Sequence, residues 1–263
     1  MNIEESSIID LMLMTTARAY NLSLADERSQ SVKDLEVLFY RIIRELKSEL
    51  FVEAGAKDAA SSRRARKYLP ESKIVAFEAN PLTYSRFKDL DNKGSEVEYI
   101  HAALSNTNSK VTFNIRVIDG KPVADGQGSI LRGAGDTKTH KPVTVDGYRL
   151  DKYFPPKTFK NWASWIDVEG ASELVLTGAE GILDKCDAIF IEVSDRPSVE
   201  KEWLTGDVMD FLAKFDLIPV GRDFQSRYLY NVLFIHKKHI RNARVRLFLI
   251  EYFGGNTVTP KDI

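Results

Sequence analysis

The sequence predicts an α/β protein built on a doubly wound, mostly parallel β-sheet. From residue 49 onward, short apolar segments typical of strands alternate with segments that have helical patterning. Three of the strand candidates end in an acidic residue that a turn or a helix start follows, at Glu53, Glu78 and Asp167. Strands that alternate with helices form parallel sheets covered on both faces. We therefore expect the three acids at one edge of the sheet, where open α/β sheets bind ligands.

The first 48 residues predict two helices that precede the sheet. Ser31 is the predicted N-cap of the second helix, and Asp34 follows three positions later in the manner of a capping box. Six apolar residues of this helix recur at the spacing of a single helical face, which must be buried against the domain or against a second copy of the chain. They are Leu35, Leu38, Phe39, Ile42, Ile43 and Leu46.

The next 70 residues, roughly, predict strands and helices in turn. Pro70 closes the first helix, and Asn80 caps the helix that begins at Pro81. Residues 111–117 alternate in the manner of an antiparallel ribbon. The predicted elements are strands near 50–53, 73–78 and 97–101, and helices near 58–68 and from 81.

Residues 119–140 form a predicted loop that carries five glycines. Loops of this length are usually retained because they have a function. The alternation of strands and helices then resumes and ends in an amphipathic helix. The predicted elements are strands at 164–168, 188–193 and 229–235, and helices near 171–178, 206–215 and 245–253.

Composition narrows the class of protein. The 263 residues can bury a large core, and 37 basic against 38 acidic residues give a net charge of -1, which favours neither nucleic acid nor an anionic membrane as partner. The single Cys186 excludes an internal disulfide framework, and the first ten residues are acidic where a secretory signal is basic. No apolar stretch is long enough to cross a bilayer. We expect a cytoplasmic protein.

Glu78 carries the clearest single-residue prediction. It lies 23 positions after Gly55 at the end of the second strand, where an acid binds the ribose hydroxyls of adenosine-containing cofactors. Its alternative role is to complement the dipole of the helix that follows. A nicotinamide-dependent oxidoreductase is disfavoured, because Lys57 and Ala59 stand where the glycines of G-x-G-x-x-G are expected.

Five segments, in this order, resemble the FkbM family of S-adenosylmethionine-dependent methyltransferases over roughly residues 49–236. The family's motifs run D-x-G-A-N-x-G-x-x-S, F-E-P-N-P and K-I-D-x-E-G-x-E with a V-L-x-G-A tail. The chain departs from them at Glu53, Lys57, Ala59, Ala79, Trp165 and Ser172. The matching segments are Glu53–Lys57, Ala76–Pro81, Ala102–Ser105, Ile166–Ala171 and Ile189–Glu192.

The resemblance implies a Rossmann-like class I methyltransferase fold with a seven-stranded sheet. The methyltransferase-like domain would cover residues 49–238, between helical extensions at 1–48 and 239–263. S-adenosylmethionine is the implied cofactor, and the implied reaction is methyl transfer to a hydroxyl of a sugar, a glycan or another natural product. The cofactor-binding positions would be Glu53, Gly55, Ala56, Lys57, Glu78, Ala79, His101, Ala102 and Ala103.

Three acids are the candidate catalytic residues: Asp167, Glu169 and Glu192. Asp167 would act as a base or anchor the acceptor, since O-methylation needs at most one base. Alternatively, Asp167 and Glu169 cap the helix near Gly170, or hold a divalent cation; we predict no metal site. His140, in the glycine-bearing loop, could reach substrate.

Two further alternatives concern the whole chain. The changed first motif is compatible with a non-catalytic, methyltransferase-like module that binds or assembles. The apolar helices at both ends are compatible with a homodimer. The acceptor would be a small molecule or a glycan, because nothing in the composition indicates nucleic acid.

Overall fold

The computed structural model describes residues 20–21, 23–91, 96–131, 139–197 and 202–254. Within them the chain forms eleven strands. These are β1 (Leu50–Ala54), β2 (Lys73–Glu78), β3 (Glu98–His101), β4 (Ala103–Leu104), β5 (Lys110–Ile118), β6 (Lys121–Pro122), β7 (His140–Tyr148), β8 (Trp162–Ile166), β9 (Cys186–Ser194), β10 (Leu217–Arg222) and β11 (Leu229–His236).

The same residues form seven α-helices and two short 3₁₀ helices, at Glu180–Lys185 and Lys237–Arg241. Two helices were predicted within residues 1–48, and the first of them, before Ser31, lies mostly outside the described part of the chain. The α-helices are α1 (Ala25–Leu46), α2 (Ala60–Tyr68), α3 (Pro81–Asp91), α4 (Leu150–Tyr153), α5 (Ser172–Gly178), α6 (Thr205–Ala213) and α7 (Ala243–Phe253).

Seven strands form the central sheet in the order β10-β11-β9-β8-β1-β2-β3. Strands β3, β2, β1, β8 and β9 are parallel, whereas β11 runs antiparallel to both of its neighbours. This is the class I methyltransferase fold, so the predicted fold class is confirmed. The order of strands reverses between β1 and β8, which makes the carboxyl ends of these two strands the expected ligand site.

Helices cover the sheet on both faces. On one face, α1, α2 and α7 pack over Phe51, Phe190 and Leu233. On the other, α4, α5 and α6 pack over a second layer that includes Phe77 and Phe234. Every fully buried core strand therefore has apolar partners on both sides, as expected for a mostly parallel sheet.

The apolar stripe of α1 is covered by the chain's own sheet. Leu35, Phe39 and Ile43 are fully buried in the layer that also contains α7. Arg41 of α1 donates to Glu251 of α7 at 2.7 Å, so the first and last described helices are also tied by an ion pair. The two terminal helices thus belong to one face of the core.

The prediction for Ser31 is wrong. Helix α1 begins at Ala25, and Ser31 is buried within it. The Ser31 hydroxyl donates to the Arg28 carbonyl at 2.6 Å and accepts the Phe224 backbone N–H at 2.9 Å. The helix extends past the apparent cap because a serine hydroxyl inside a helix can bond to the preceding turn, and here it also ties α1 to the loop after β10.

A ribbon of four strands, in the order β4-β7-β5-β6, follows β3. The antiparallel ribbon predicted at 111–117 is present, since β5 pairs with β7 from Lys110 opposite Asp146 to Arg116 opposite His140. Neither β7 nor β10 was predicted. The glycine-bearing loop is more regular than expected, because β6 pairs with β5 and a further bridge joins Asn114 to Ser129; residues 132–138 lie outside the described part.

No helix in the described part of the chain has both the length and the apolar character needed to cross a membrane.

Gly178, at the end of α5, explains why the V-L-x-G-A tail contains a glycine. A Cβ at Gly178 would lie 2.1 Å from the Ser105 carbonyl oxygen, whereas a Cβ at Gly206 in α6 would meet nothing within 4 Å. We predict that Gly178→Ala lowers the free energy of unfolding by about 1–3 kcal/mol, because overpacking forces a backbone shift. Gly206→Ala, the matched control, should be neutral or stabilise by about 1 kcal/mol or less. Urea denaturation of both variants measures this, and equal effects would contradict it.

Candidate active site

A cavity of about 530 Å³, open to solvent on one side, lies at the carboxyl ends of the central strands. Its wall comes from the turn after β1, the end of β2, the segment after β3, the turn after β8 and a loop beyond β6. The corresponding residues include Gly55, 77–80, 102–104, 167–169, 125–126, 128 and 130.

The turns after β1 and β8 meet at Gly55. Its φ is +76°, and a Cβ there would lie 1.8 Å from the Asp167 carbonyl oxygen. The Asp167 N–H donates to the Ala54 carbonyl at 3.0 Å, and the Gly55 N–H donates to the Phe77 carbonyl at 3.1 Å. The ends of three neighbouring strands are therefore fixed to one another by backbone contacts.

Lys57 and Ala59 differ from the family motif in their side chains. Their backbone conformation nevertheless suits the motif. Both are left-handed, with φ of 50° and 54°. Glycine adopts this conformation freely and asparagine does so more readily than other residues, and these are the two residues that the family motif has here. The Lys57 N–H donates to Glu78 at 2.7 Å, and the Ala59 N–H donates to the Ala56 carbonyl at 2.6 Å. These bonds hold the turn in place without the usual residues.

Glu78 lies in the cavity wall and joins two of its segments. Its carboxylate accepts the Lys57 N–H at 2.7 Å through Oε2 and the Asn80 N–H at 2.6 Å through Oε1. Burial raises the pKa of Glu78 to about 7, and the nearby charge of Asp167 acts in the same direction. The cap of α3 is the Asn80 side chain, which accepts the Leu82 N–H at 3.0 Å. The alternative role of Glu78, which is to complement the dipole of that helix, is compatible with this arrangement.

Six predicted residues are not among those that line this cavity: Glu53, Ala56, Lys57, His101, His140 and Glu192. Glu53 is buried behind the β1 turn, where it accepts the Ser62 N–H of α2 at 2.8 Å, and burial raises its pKa to about 7. The ring of His101 stacks on Tyr84 with centroids 4.9 Å apart, although the neighbouring Ala102 and Ala103 do line the cavity. His140 lies in β7, with Nδ1 3.0 Å from the Thr139 hydroxyl.

The three candidate catalytic acids come together. Asp167, Glu169 and Glu192 each place one carboxylate oxygen within 4.8 Å of the others. Asp167 directly follows β8, Glu169 occupies a left-handed position with φ of 49°, and Glu192 lies in β9, the strand next to β8. This spacing is also compatible with a cation site made of oxygen ligands.

Asp167 and Glu192 place carboxylate oxygens within 4.8 Å of each other. Two carboxyl groups this close favour the state in which one of them carries a proton. Burial, followed by the charges of Asp167 and Glu169, raises the pKa of Glu192. Burial also raises the pKa of Asp167, whose side chain is open to the cavity but otherwise surrounded by protein, while Lys57 acts in the opposite direction. The pair therefore holds one proton and one negative charge at neutral pH.

A second cavity of about 640 Å³, also open to solvent, lies next to the first. Gly55, Gly126, Asp125, Asp167 and Glu169 border both cavities. The rest of the lining of the second cavity consists of Lys57, Arg116 and Gln127. Of these three residues, Arg116 and Gln127 were not predicted as site residues.

The loop 123–131 forms the shared wall and is tied down at three places. Asn80 donates to the Val123 carbonyl at 3.2 Å, Arg116 pairs with Asp125 at 3.2 Å, and the Asn114 N–H donates to the Ser129 carbonyl at 2.9 Å. The one sequence signal for this wall was the density of glycines. A Cβ at Gly128 would lie 2.6 Å from the Phe113 ring, so this glycine permits the loop to pack closely on β5.

The family described as the methyltransferase FkbM domain matches residues 53–228, more than half of the chain. The chain belongs to the FkbM methyltransferase family. Family membership makes the protein a methyltransferase, which confirms the resemblance and the enzyme class predicted from the five segments. The cavity residues from Gly55 to Ala171 all lie within the matched region.

Similar proteins include the 2-O-methyltransferase NoeI of Sinorhizobium fredii, which is 24% identical over 177 residues, 64% of this chain and 73% of that protein. A methyltransferase FkbM of Methylobacillus flagellatus has a TM-score of 0.46 at 13% identity, over 72% of this chain and 44% of its own. The PH0226 protein of Pyrococcus horikoshii has a TM-score of 0.45 at 13% identity, over 83% and 94%. The chain thus spans less than half the length of the Methylobacillus protein.

The raised pKa of Glu192 makes the stability of the protein depend on pH. Burial and like charges raise the pKa of Glu192 from 4.5 to about 9, so between these values the folded state keeps a proton that the unfolded state releases. Stability should therefore fall as pH rises across this interval, by up to about 1.4 kcal/mol per unit. We predict that Glu192→Gln, which is neutral throughout, stabilises the protein more at pH 8.5 than at pH 5.5. Urea denaturation at the two pH values measures this, and a constant difference would contradict the raised pKa of Glu192.

Proposed function

We propose that this methyltransferase uses S-adenosylmethionine to methylate a hydroxyl oxygen of a sugar, a glycan or another small natural product. The observation that carries the proposal is the close contact at Gly55. This contact places the first cavity, which has Glu78 in its wall and suits an adenosine, next to the three acids. The similarity to a protein named as a 2-O-methyltransferase supports an oxygen acceptor.

The residues of the first cavity fit the nucleoside part of such a cofactor. Glu78 lies at the end of β2, and each of its oxygens accepts one backbone N–H, so lone pairs remain for ribose hydroxyls. Phe77, Ala102 and Leu104 give an apolar wall suited to a purine ring. The missing side chain at Gly55 lets a ligand approach the backbone closely.

When bound, S-adenosylmethionine would supply a sulfonium methyl group that a nucleophilic oxygen can take up. The chain's own part is to position the acceptor hydroxyl and to receive its proton. Asp167 and Glu192 are suited to the second task, because together they hold one proton and can accept another from a hydroxyl. Glu169, within 4.8 Å of both, is placed to anchor the acceptor.

The cofactor assignment predicts a binding pattern among variants. S-adenosylhomocysteine should raise the melting temperature of the wild type, because it binds only the folded state. Glu78→Gln should weaken its affinity by about tenfold or more, since a charged hydrogen-bond acceptor is lost. Glu98→Gln, which changes an exposed acid on β3, is the matched control and should bind as the wild type does. Isothermal titration calorimetry measures the three affinities.

The catalytic assignment separates binding from transfer. Asp167→Asn should bind S-adenosylhomocysteine nearly as well as the wild type, but transfer labelled methyl to a panel of sugars about 10²–10⁴ times more slowly. An acid-stable methyl ether in the product would identify oxygen as the acceptor atom. Absence of wild-type binding at millimolar S-adenosylhomocysteine would instead support the non-catalytic module.

A further inference from the structure

Lys57 extends from the β1 turn across the second cavity. Its Cδ lies 3.5 Å, and its Nζ 3.9 Å, from the position that a Cβ on Gly126 would occupy. Lys57 therefore spans the gap between the turn that carries Gly55 and the loop that forms the shared wall. A larger residue at position 126 would compete with the lysine for this space, so the glycine and the lysine fit together.

Both backbone polar groups of Lys57, the N–H and the carbonyl, are held by hydrogen bonds. Its N–H donates to Glu78 at 2.7 Å, and its carbonyl accepts a hydrogen bond from the Tyr99 hydroxyl. The side chain thus starts from a fixed point beside the proposed ribose site and ends among the acids. Only the four methylene groups remain to be ordered when the ammonium binds a ligand.

The surroundings of the Lys57 ammonium are strongly acidic. Asp125, Asp167 and Glu169 border the same cavity. The other cation in its wall, Arg116, is already engaged by Asp125 at 3.2 Å and by the Gln127 side-chain oxygen. Within the part of the chain that the structure describes, the Lys57 ammonium acts on Asp167 through its charge and makes no hydrogen bond or ion pair at short range.

An anion in this cavity would therefore depend on Lys57. The proposed cofactor ends in an α-amino acid, which carries an ammonium and a carboxylate. The acids that border the cavity repel the carboxylate, and this repulsion is stronger in a partly buried site than in water. Lys57 is the cation in the described wall that is available to offset this repulsion.

We propose that the Lys57 ammonium binds the carboxylate at the amino acid end of the cofactor. This inference rests on the proposed function and assigns a side-chain role to a position where the family motif has asparagine. Lysine is suited to it because its ammonium is a compact point charge on a flexible stem. The lysine that replaces the motif's asparagine at position 57 would then add a contact to the ligand.

The test compares two ligands that differ only in the carboxylate, S-adenosylhomocysteine and S-adenosyl-3-thiopropylamine. Calorimetry should show that the wild type binds the first about 10- to 100-fold more tightly, as expected for a charge-assisted contact. In Lys57→Asn this ratio should fall to about one, because only the affinity for S-adenosylhomocysteine is lost. Asparagine is chosen because it suits the left-handed backbone at this position.

Lys57→Arg is the matched variant that keeps the charge, and it should restore a preference for the carboxylate ligand. A ratio in Lys57→Asn equal to that of the wild type would overturn the role of Lys57, while the proposed function would stand because both ligands still bind. If the wild type binds neither ligand at millimolar concentration, the proposed function itself fails. Circular dichroism melting of each variant confirms that the compared proteins are folded.

Discussion

The close approach of Gly55 to the Asp167 carbonyl is the constraint on which the site depends. The two residues belong to the turns after β1 and β8, the strands between which the sheet order reverses. A separation that leaves only 1.8 Å for a Cβ requires glycine at this point. Because of it, the Asp167 charge lies close enough to Glu78 to raise the pKa of that residue. The two cavities consequently share one wall of backbone and acids.

This arrangement has an energetic cost that the core must offset. Burial raises the pKa values of Glu53, Glu78 and Glu192, so each is less favourable when ionised in the folded state than in water. Backbone N–H groups partly compensate at Glu53 and Glu78, whereas at Glu192 the nearby charge of Asp167 adds to the effect of burial and raises its pKa further. Sites that must bind and react are commonly less stable than the same fold without them.

The features predicted from the sequence are those with local signals. Alternating apolar runs and helical stripes gave the order of strands and helices, and acids at strand ends gave the position of the site. β7 and β10 lacked such signals, since each contains a proline and a glycine, which weaken strand patterning. Ser31 has a cap residue's chemistry, but contacts with Phe224, far along the chain, decide its place.

The residue types in the first motif could not reveal its backbone conformation. Lys57 and Ala59 indicate a lost glycine-type turn, because neither residue favours a left-handed backbone. The structure has that backbone at both positions, and at Lys57 it is held by a hydrogen bond to Glu78, a distant contact that no local pattern encodes. The cavity wall at Asp125 to Gln127 could not be predicted from the sequence either, because it depends on how a loop packs on β5 and α3.

The most direct test of the account compares Gly55→Ala with Gly120→Ala. Their φ values are +76° and +73°, but a Cβ at Gly120 would meet nothing within 4 Å. Both variants should lose about 1–2 kcal/mol of unfolding free energy to the left-handed backbone. Gly55→Ala should lose about 1–3 kcal/mol more through overpacking, together with S-adenosylhomocysteine binding, which Gly120→Ala retains. Equal stability of the two variants, with wild-type binding in both, would contradict the central role of this contact.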